Sequence, residues 1–309
     1  MWLQPGPELK RRLEDREMPD AKDALVGRII AVLNTGSGSC DAHSEEQATA
    51  IFREAGLDAE VISVGPGELG DALADAVGRA DILVVLGGDG TIATAANLCG
   101  HRRPLLIPLP GGTMNMLPKA LYGSADWRAA LKATLAEPAV RKVSGGEAQG
   151  RRFYCAAILG APSLWADARE AVRDGHLVEA VKRAVTAARR SLSDAIEYEF
   201  GEVTGSADAV AVICPLISQD MSADDEALEA VALDPATAAG LFGLAFHAAF
   251  DGWRNDSSVT RAKVDSVSVH AHGEIPVILD GELIQIEREV KITFLPTAFR
   301  ALVPVDQAA

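Results

Sequence analysis

The four cysteines, Cys40, Cys99, Cys155 and Cys214, lie far apart, and no C-x-x-C pair occurs. That excludes a disulfide frame or a zinc knuckle and points to reduced thiols in a cytosolic protein. Basic residues are scarce: 29 Lys and Arg stand against 44 Asp and Glu, a formal charge of −15. Such a balance argues against nucleic-acid binding and against general adhesion to anionic lipid. Long apolar runs are missing too. The most apolar stretch, Ala238 to Phe250, is interrupted by His247 and is too short to span a bilayer. The charge-rich N-terminus does not read as a signal peptide. A soluble, cytoplasmic protein is expected, at most peripheral to a membrane. No G-x-x-x-x-G-K-[ST] occurs, which rules out a Walker P-loop.

What is present is a strand running into a glycine turn. Ile82 to Leu86 is continuously apolar and rich in β-branched residues, as a strand covered on both faces should be. Gly87-Gly88-Asp89-Gly90-Thr91 follows, and residues from Ile92 to Leu98 read as the start of a helix. A turn stripped of Cβ atoms beside a helix N-terminus suits an anion. Asp89 supplies a fixed carboxylate, so the turn suggests a metal–nucleotide site. A tight strand-to-helix turn without a ligand is the alternative. The turn is not a G-x-G-x-x-G dinucleotide fingerprint.

Around it the chain alternates. Strands are expected at Gly27–Leu33, Ala59–Val64 and Leu105–Leu109, and helices at Ser44–Ala55, Glu68–Gly78 and Asp126–Leu135. This rhythm predicts an α/β N-terminal domain with a parallel, Rossmann-like sheet over residues 25–138, after a charged tail at 1–24. Ligands of such sheets sit at the carboxyl ends of the strands. Three polar or glycine-rich turns fall there: Asn34 to Ser39, Gly87 to Thr91, and Pro110 to Asn115.

Beyond residue 138 strands follow one another with little helix between them. They are expected at Val140–Val143, Phe153–Leu159, Ala195–Val203, Ala209–Leu216, Ala230–Leu233, Val264–His270, Pro276–Leu279, Gln285–Glu287 and Val290–Phe294. A mainly antiparallel β-sandwich over residues 139–309 is expected, with a helical insertion at 162–193. The insertion is amphipathic and carries Lys182, Arg183, Arg189 and Arg190 mainly off its apolar face. Packing on the sheet is the commoner role of such a helix; lying on a membrane surface is the other. Asp280-Gly281-Glu282 closes a strand with two carboxylates. It reads both as a hairpin turn and as a pair of acids facing one cavity.

These stretches together resemble the diacylglycerol kinase catalytic-domain family, which includes bacterial lipid kinases and sphingosine kinases. Gly87, Gly88, Asp89, Gly90 and Thr91, with Asn97 beyond them, match its glycine-aspartate signature. Asn34, Ser37 and Gly38 match an Asn-Pro-x-Ser-Gly turn, with Thr35 in place of the proline. Gly112, Thr113 and Asn115 match Gly-Thr-x-Asn, with Met116 where the family usually has Asp. Asp280-Gly281-Glu282 matches Asp-Gly-Glu. The resemblance implies ATP held by the three turns, Mg²⁺ anchored through Asp89, and a lipid hydroxyl as acceptor at a membrane surface. It makes Glu282 the general base, with Asp280 orienting or sharing that role. Asp224-Asp225-Glu226-Ala227-Leu228 is similar to a family turn that holds a structural magnesium. Asp225 would be the ligand, with the carbonyls of Ser222 and Ala227, although Glu226 replaces a glycine. It also implies that Ala301 to Val305 returns to the first domain.

Two other readings stand beside this one. NAD kinases share the glycine-aspartate turn but not the Asp-Gly-Glu ending, and no Leu-Gly-Phe-Leu-type stretch follows Asn97. A nucleotide-binding sensor without catalysis is the other, on account of Met116. The acceptor is open among diacylglycerol, a sphingoid base, phosphatidylglycerol and a small polyol. A homodimer is the default expectation for a soluble oligomer.

Overall fold

The computed structural model describes residues 25–101, 104–160, 196–233, 259–286 and 288–307. The tail at 1–24, the insertion at 162–193, the apolar run at 238–250 and Glu287 fall outside these. Four strands alternate with helices at the start: β1 (Ile29–Asn34), α1 (Ser44–Glu54), β2 (Ala59–Val64), α2 (Leu69–Arg79), β3 (Ile82–Gly87), α3 (Asp89–Cys99) and β4 (Leu105–Pro110). The strands pair in parallel in the order β2-β1-β3-β4. β1, β3 and β4 are buried along their whole length, which is why they read as unbroken apolar runs. The chain reaches β2 on one side of β1 and β3 on the other. The strand order therefore reverses between β1 and β3, where doubly wound sheets bind their ligands.

α3 starts at Asp89, earlier than the sequence suggests, so Asp89, Gly90 and Thr91 form its first turn rather than a loop. A helix that periodicity did not reveal, α4 (Met116–Tyr122), follows β4. It is short and holds Pro118, which its first turn tolerates. α5 (Trp127–Ala136) follows, and the Asp126 carboxylate caps it by accepting the N–H groups of Arg128 and Ala129.

Twelve strands and a closing 3₁₀ turn (Val305–Gln307) are the remaining elements of the described chain: β5 (Pro138–Ala148), β6 (Arg151–Phe153), β7 (Ala156–Gly160), β8 (Ile196–Phe200), β9 (Val203–Ala207), β10 (Ala209–Ile213), β11 (Leu228–Leu233), β12 (Thr260–Val264), β13 (Ser266–His270), β14 (Ile275–Leu279), β15 (Glu282–Ile286) and β16 (Glu289–Pro304). Three expected strands divide. Phe153–Leu159 breaks into β6 and β7 at Tyr154 and Cys155, whose N–H groups turn to a side-chain carboxylate. Val264–His270 breaks at Asp265, because β12 joins one sheet and β13 the other. Ala195–Val203 breaks at Gly201, where φ is +63° and the chain reverses from β8 into β9. Conversely, the stretches at 290–294 and 301–304 belong to a single long strand, β16, and Val305 opens the 3₁₀ turn after it.

β16 joins the parallel and antiparallel parts of one ten-stranded sheet. Its first half pairs with β13, its length pairs with β5 across an irregularity between Leu295 and Phe299, and Ala301 pairs in parallel with Leu106 of β4. The second sheet is antiparallel and six-stranded, in the order β12-β11-β10-β7-β14-β15. Its strands alternate strictly. Ala157, Leu159, Val210, Val212, Leu228, Ala230, Ile275 and Val277 face a core shared with Val267, Val269, Val290 and Ile292 of the first sheet. The result is a sandwich whose one layer continues into the parallel sheet.

Phe299 is fully buried and meets the Tyr154 ring edge-on, with centroids 5.3 Å apart at 87°. Replacing it opens a cavity beneath the point where β5, β16 and the β6–β7 junction meet. Phe299→Ala is expected to lower stability by about 3–5 kcal/mol, read as a fall in the urea midpoint with an unchanged slope.

Candidate active site

The carboxyl ends of β1, β3 and β4 lie side by side, so the turns that follow them meet. Asn34 ends β1 and is nearly buried; its Nδ2 donates to Thr91 Oγ1 at 3.0 Å, and its Oδ1 accepts the Gly36 N–H at 2.9 Å. Ser37 is likewise buried and folds back through its N–H to the Asn34 carbonyl. The Ser39 N–H reaches the Gly111 carbonyl at 2.9 Å, and the Gly111 N–H reaches the Gly87 carbonyl at 2.8 Å. A Cβ on Gly111 would sit 2.8 Å from the Gly87 nitrogen, and one on Gly112 would sit 2.6 Å from the Gly88 Cα. Those glycines are required by the contact of one turn with another. At Gly38 and Gly90, by contrast, a Cβ would meet nothing within 4 Å. These two leave open space at the rim of the turns, the opening a ligand needs.

Asp89 ties the second turn to the third. Its two carboxylate oxygens accept the N–H groups of Asn115 at 2.9 Å and Met116 at 2.7 Å. It thus satisfies orphan amides at the start of α4, whose own flanking residue, Asn115, provides no such cap. Asn115 is buried in the left-handed conformation, φ 53°, and its side chain closes on Gly112 by bonds of 2.7 Å in both directions. Met116 serves Asp89 through its backbone, while its side chain packs against the first core. Thr113 is exposed.

The other wall is the β14–β15 hairpin. Asp280 and Gly281 form its two-residue turn, with φ of 47° and 92°, and Leu279 pairs with Glu282. Two positive φ values are what an Asp-Gly type I′ turn requires. The Asp280 carboxylate accepts three N–H groups, from Tyr154 at 2.7 Å, Cys155 at 2.8 Å and Ala156 at 3.0 Å. The residue keeps some solvent contact along its length, but its carboxyl is surrounded by protein. Burial pushes that carboxyl up to about 6; the three N–H donors oppose the rise, and the charge of Asp89 adds to it. Glu282 is exposed at the head of β15.

Between the walls lies a cleft of about 480 Å³, lined on one side by Gly90, Ala93, Thr94 and Asn97 of α3 and on the other by Leu279, Asp280, Glu282 and Ile284. Its third side is the β5–β6 hairpin, with Glu147, Gly150, Arg151 and Arg152. The Asn97 Oδ1 accepts the Tyr154 hydroxyl at 2.8 Å, which links α3 to the segment that holds Asp280. Sequence reading missed Arg151, Arg152 and Tyr154. The adjacent arginines before an apolar strand were the visible signal, but only the Gln149–Gly150 hairpin, with φ of 52° and 78°, aims them at the cleft. Asp225 is elsewhere. It pairs with Lys263 of β12, the edge of the second sheet opposite to the one that carries Glu282.

A parallel sheet with polar turns at its switch point, joined by its last strand to a β-sandwich, defines the class of protein. Residues 28–148 match the family model described as diacylglycerol kinase catalytic domain, so the resemblance read from the motifs holds over that segment. Among solved structures, a diacylglycerol kinase from Bacillus anthracis strain Sterne is similar over 90% of this chain and 97% of its own, with a TM-score of 0.65 and 19% identity. An NAD kinase from Archaeoglobus fulgidus in complex with ATP is similar over 90% and 95%, with a TM-score of 0.53 and 13% identity. At these identities the likeness is one of fold. An uncharacterized protein from Caenorhabditis elegans is 33% identical over 122 residues, 35% of this chain but only 28% of that relative's length. Among the described residues no helix is long and apolar enough to cross a membrane.

Asp280→Asn would place an amide NH₂ where the carboxylate now accepts N–H groups. A loss of about 1–3 kcal/mol is expected, the cost of leaving a buried donor unmade. The pH dependence has a definite sign. With the folded carboxyl raised from 3.8 to about 6, the folded chain keeps a proton that the unfolded chain has released between those values. Wild-type stability therefore falls as pH rises through that window and levels above it. Urea midpoints from pH 4 to 7 should show this decline in wild type and its absence in Asp280→Asn.

Proposed function

We propose that this protein is an ATP-dependent lipid kinase, transferring the γ-phosphoryl group of Mg-ATP to the hydroxyl of diacylglycerol or a related lipid. The observation that carries the proposal is the cleft in which Asp280 and Glu282 line one wall and the first turns of α3, entered from Gly87-Gly88, form the other. The family match over residues 28–148 supports kinase chemistry in general. On this reading Asn34, Ser37, Gly38, Gly87, Gly88, Gly90, Thr91, Asn97, Gly112, Thr113 and Asn115 bind the nucleotide. The open positions at Gly38 and Gly90 fit a phosphate chain at the rim of the turns. Magnesium would neutralise charge on that chain, and Asp89 would be its anchor through the phosphate network.

In the transfer, the acceptor oxygen forms a bond to phosphorus, the bond from phosphorus to the ADP oxygen breaks, and the hydroxyl proton passes to Glu282. Glu282 suits that task because it stands exposed on the cleft wall. Asp280, held by three amides, sets the hairpin that presents it. An alcohol gives up its proton late, so positioning and electrostatics supply more of the rate than the base does. Arg151 and Arg152 bring positive charge to the cleft wall of a strongly acidic chain, where phosphate oxygens need it. Action on a lipid at a membrane surface, a cytoplasmic setting and a two-fold dimer belong to the same proposal.

Two further readings rest on particular features. The fold likeness to an NAD kinase keeps NAD as a candidate acceptor. Met116 in place of a carboxylate keeps a sensor that binds ATP without transferring it. Labelled γ-phosphate transfer from Mg-ATP to lipid and NAD acceptors separates the three. Lipid labelling that drops about a hundredfold in Glu282→Gln, with ATP binding retained, is the expected result. Labelled NAD would move the chain to the nucleotide kinases, and ATP binding with no labelled acceptor would support the sensor.

A further inference from the structure

The turn at 222–227, where the resemblance implies a structural magnesium held by Asp225, does not have the chemistry of a metal site. Asp225 Oδ2 lies 2.7 Å from the Lys263 ammonium and also accepts the Ser222 N–H at 3.2 Å. The Ser222 carbonyl accepts the Asp225 N–H at 3.0 Å, so the turn is closed by its own bonds. Among the described residues no group of three or more His, Cys, Asp or Glu side chains is arranged to hold an ion. Asp225 would therefore be the only side-chain carboxylate on the ion, with carbonyls and waters supplying the remaining oxygens that magnesium or calcium takes. A divalent ion on Asp225 would also face the Lys263 charge at close range.

Two cations of β12 reach the carboxylates of this loop. Arg261 and Lys263 are two residues apart and share one face of the strand. Arg261 bonds the Asp220 carboxylate, and Lys263 bonds Asp225. The ammonium holds the Asp225 carboxyl below its usual range. Lys263 is also the register partner of Glu229 on β11, a carboxylate only 3% exposed. Glu229 Oε2 accepts the Ser218 hydroxyl at 2.6 Å, at the other end of the same loop, and its Oε1 has no hydrogen-bond partner. One lysine thus stands beside a carboxylate of the loop and a buried carboxylate of the sheet.

We propose that Lys263 is the built-in cation of the 218–226 loop, replacing a divalent ion, and that with Arg261 it fastens this loop to β12 without metal. The proposal is independent of the acceptor and of catalysis, since it concerns the order of the loop in the protein without nucleotide.

The test is limited proteolysis of the loop and thermal unfolding of the EDTA-stripped full-length protein, with and without millimolar Mg²⁺, Ca²⁺ or Mn²⁺ and no nucleotide. Wild type and Lys263→Arg should be indifferent to the ions. Lys263→Met should be cleaved about fivefold faster, the factor expected when opening is limited by one half-exposed ion pair, and divalent ions should leave that rate unchanged. Wild type protected by Mg²⁺, with the protection lost in Asp225→Asn, would overturn the proposal. So would Lys263→Met cleaved at the wild-type rate, or protected by any of the ions. Should Lys263→Met fail to fold, the ion response of wild type and Lys263→Arg decides alone.

Discussion

The carboxylate of Asp280 is the contact on which the arrangement of both sheets depends. Three consecutive N–H groups, at Tyr154, Cys155 and Ala156, bond to it instead of continuing a ladder. That interruption separates β6, which stays with β5 in the first sheet, from β7, which enters the centre of the second. The same bonds hold the β14–β15 turn against the β6–β7 junction. A hairpin tip is ordinarily mobile; this one is anchored from within, so Glu282 inherits a defined position although it is itself exposed. The cost is a buried carboxyl beside a second carboxylate, visible in its raised proton affinity.

Asp89 applies the same principle in the parallel sheet. Its oxygens serve the amides that open α4, so they bond the glycine-aspartate turn to the end of the Pro110–Asn115 turn. Asn34 joins them by its bond to Thr91. Each element reads as a ligand-binding turn when taken alone, yet each is also bonded to its neighbours. The close contacts of Gly111 and Gly112 with Gly87 and Gly88 extend this to the backbone. Preorganised amides and open rim positions at Gly38 and Gly90 then coexist: rigid packing below, free space above.

Charge is distributed to match. The chain is strongly acidic as a whole, but cations stand where carboxylates crowd. Arg151 and Arg152 border the cleft beside Glu147, Asp280 and Glu282, and Arg261 and Lys263 border the loop that carries Asp220 and Asp225. In the second place the Lys263 ammonium pairs with the Asp225 carboxylate, at the sheet edge opposite to Glu282.

The parallel half of the molecule was legible from local signals in the chain. The apolar runs of β1, β3 and β4 and the alternation with helices are local signals, set by burial on both faces and by a 3.6-residue period. The turns that end those strands, and the Asp-Gly hairpin at Asp280, were legible too, because turn chemistry is carried by the residues in the turn. Tertiary structure decided the rest. A run such as 153–159 or 264–270 looks continuous because β-propensity does not say which sheet a residue will join; only the pull of Asp280 or the return of the chain at Asp265 divides it. α4 was invisible since its cap comes from Asp89, 27 residues from Met116. Arg151 and Arg152 looked like ordinary surface charge until the hairpin turned them toward the cleft. For Asp225, motif likeness implied a metal ligand, and the structure supplied an ammonium 38 residues away. Local pattern specifies elements and turns; partners distant in the chain decide what each carboxylate bonds to.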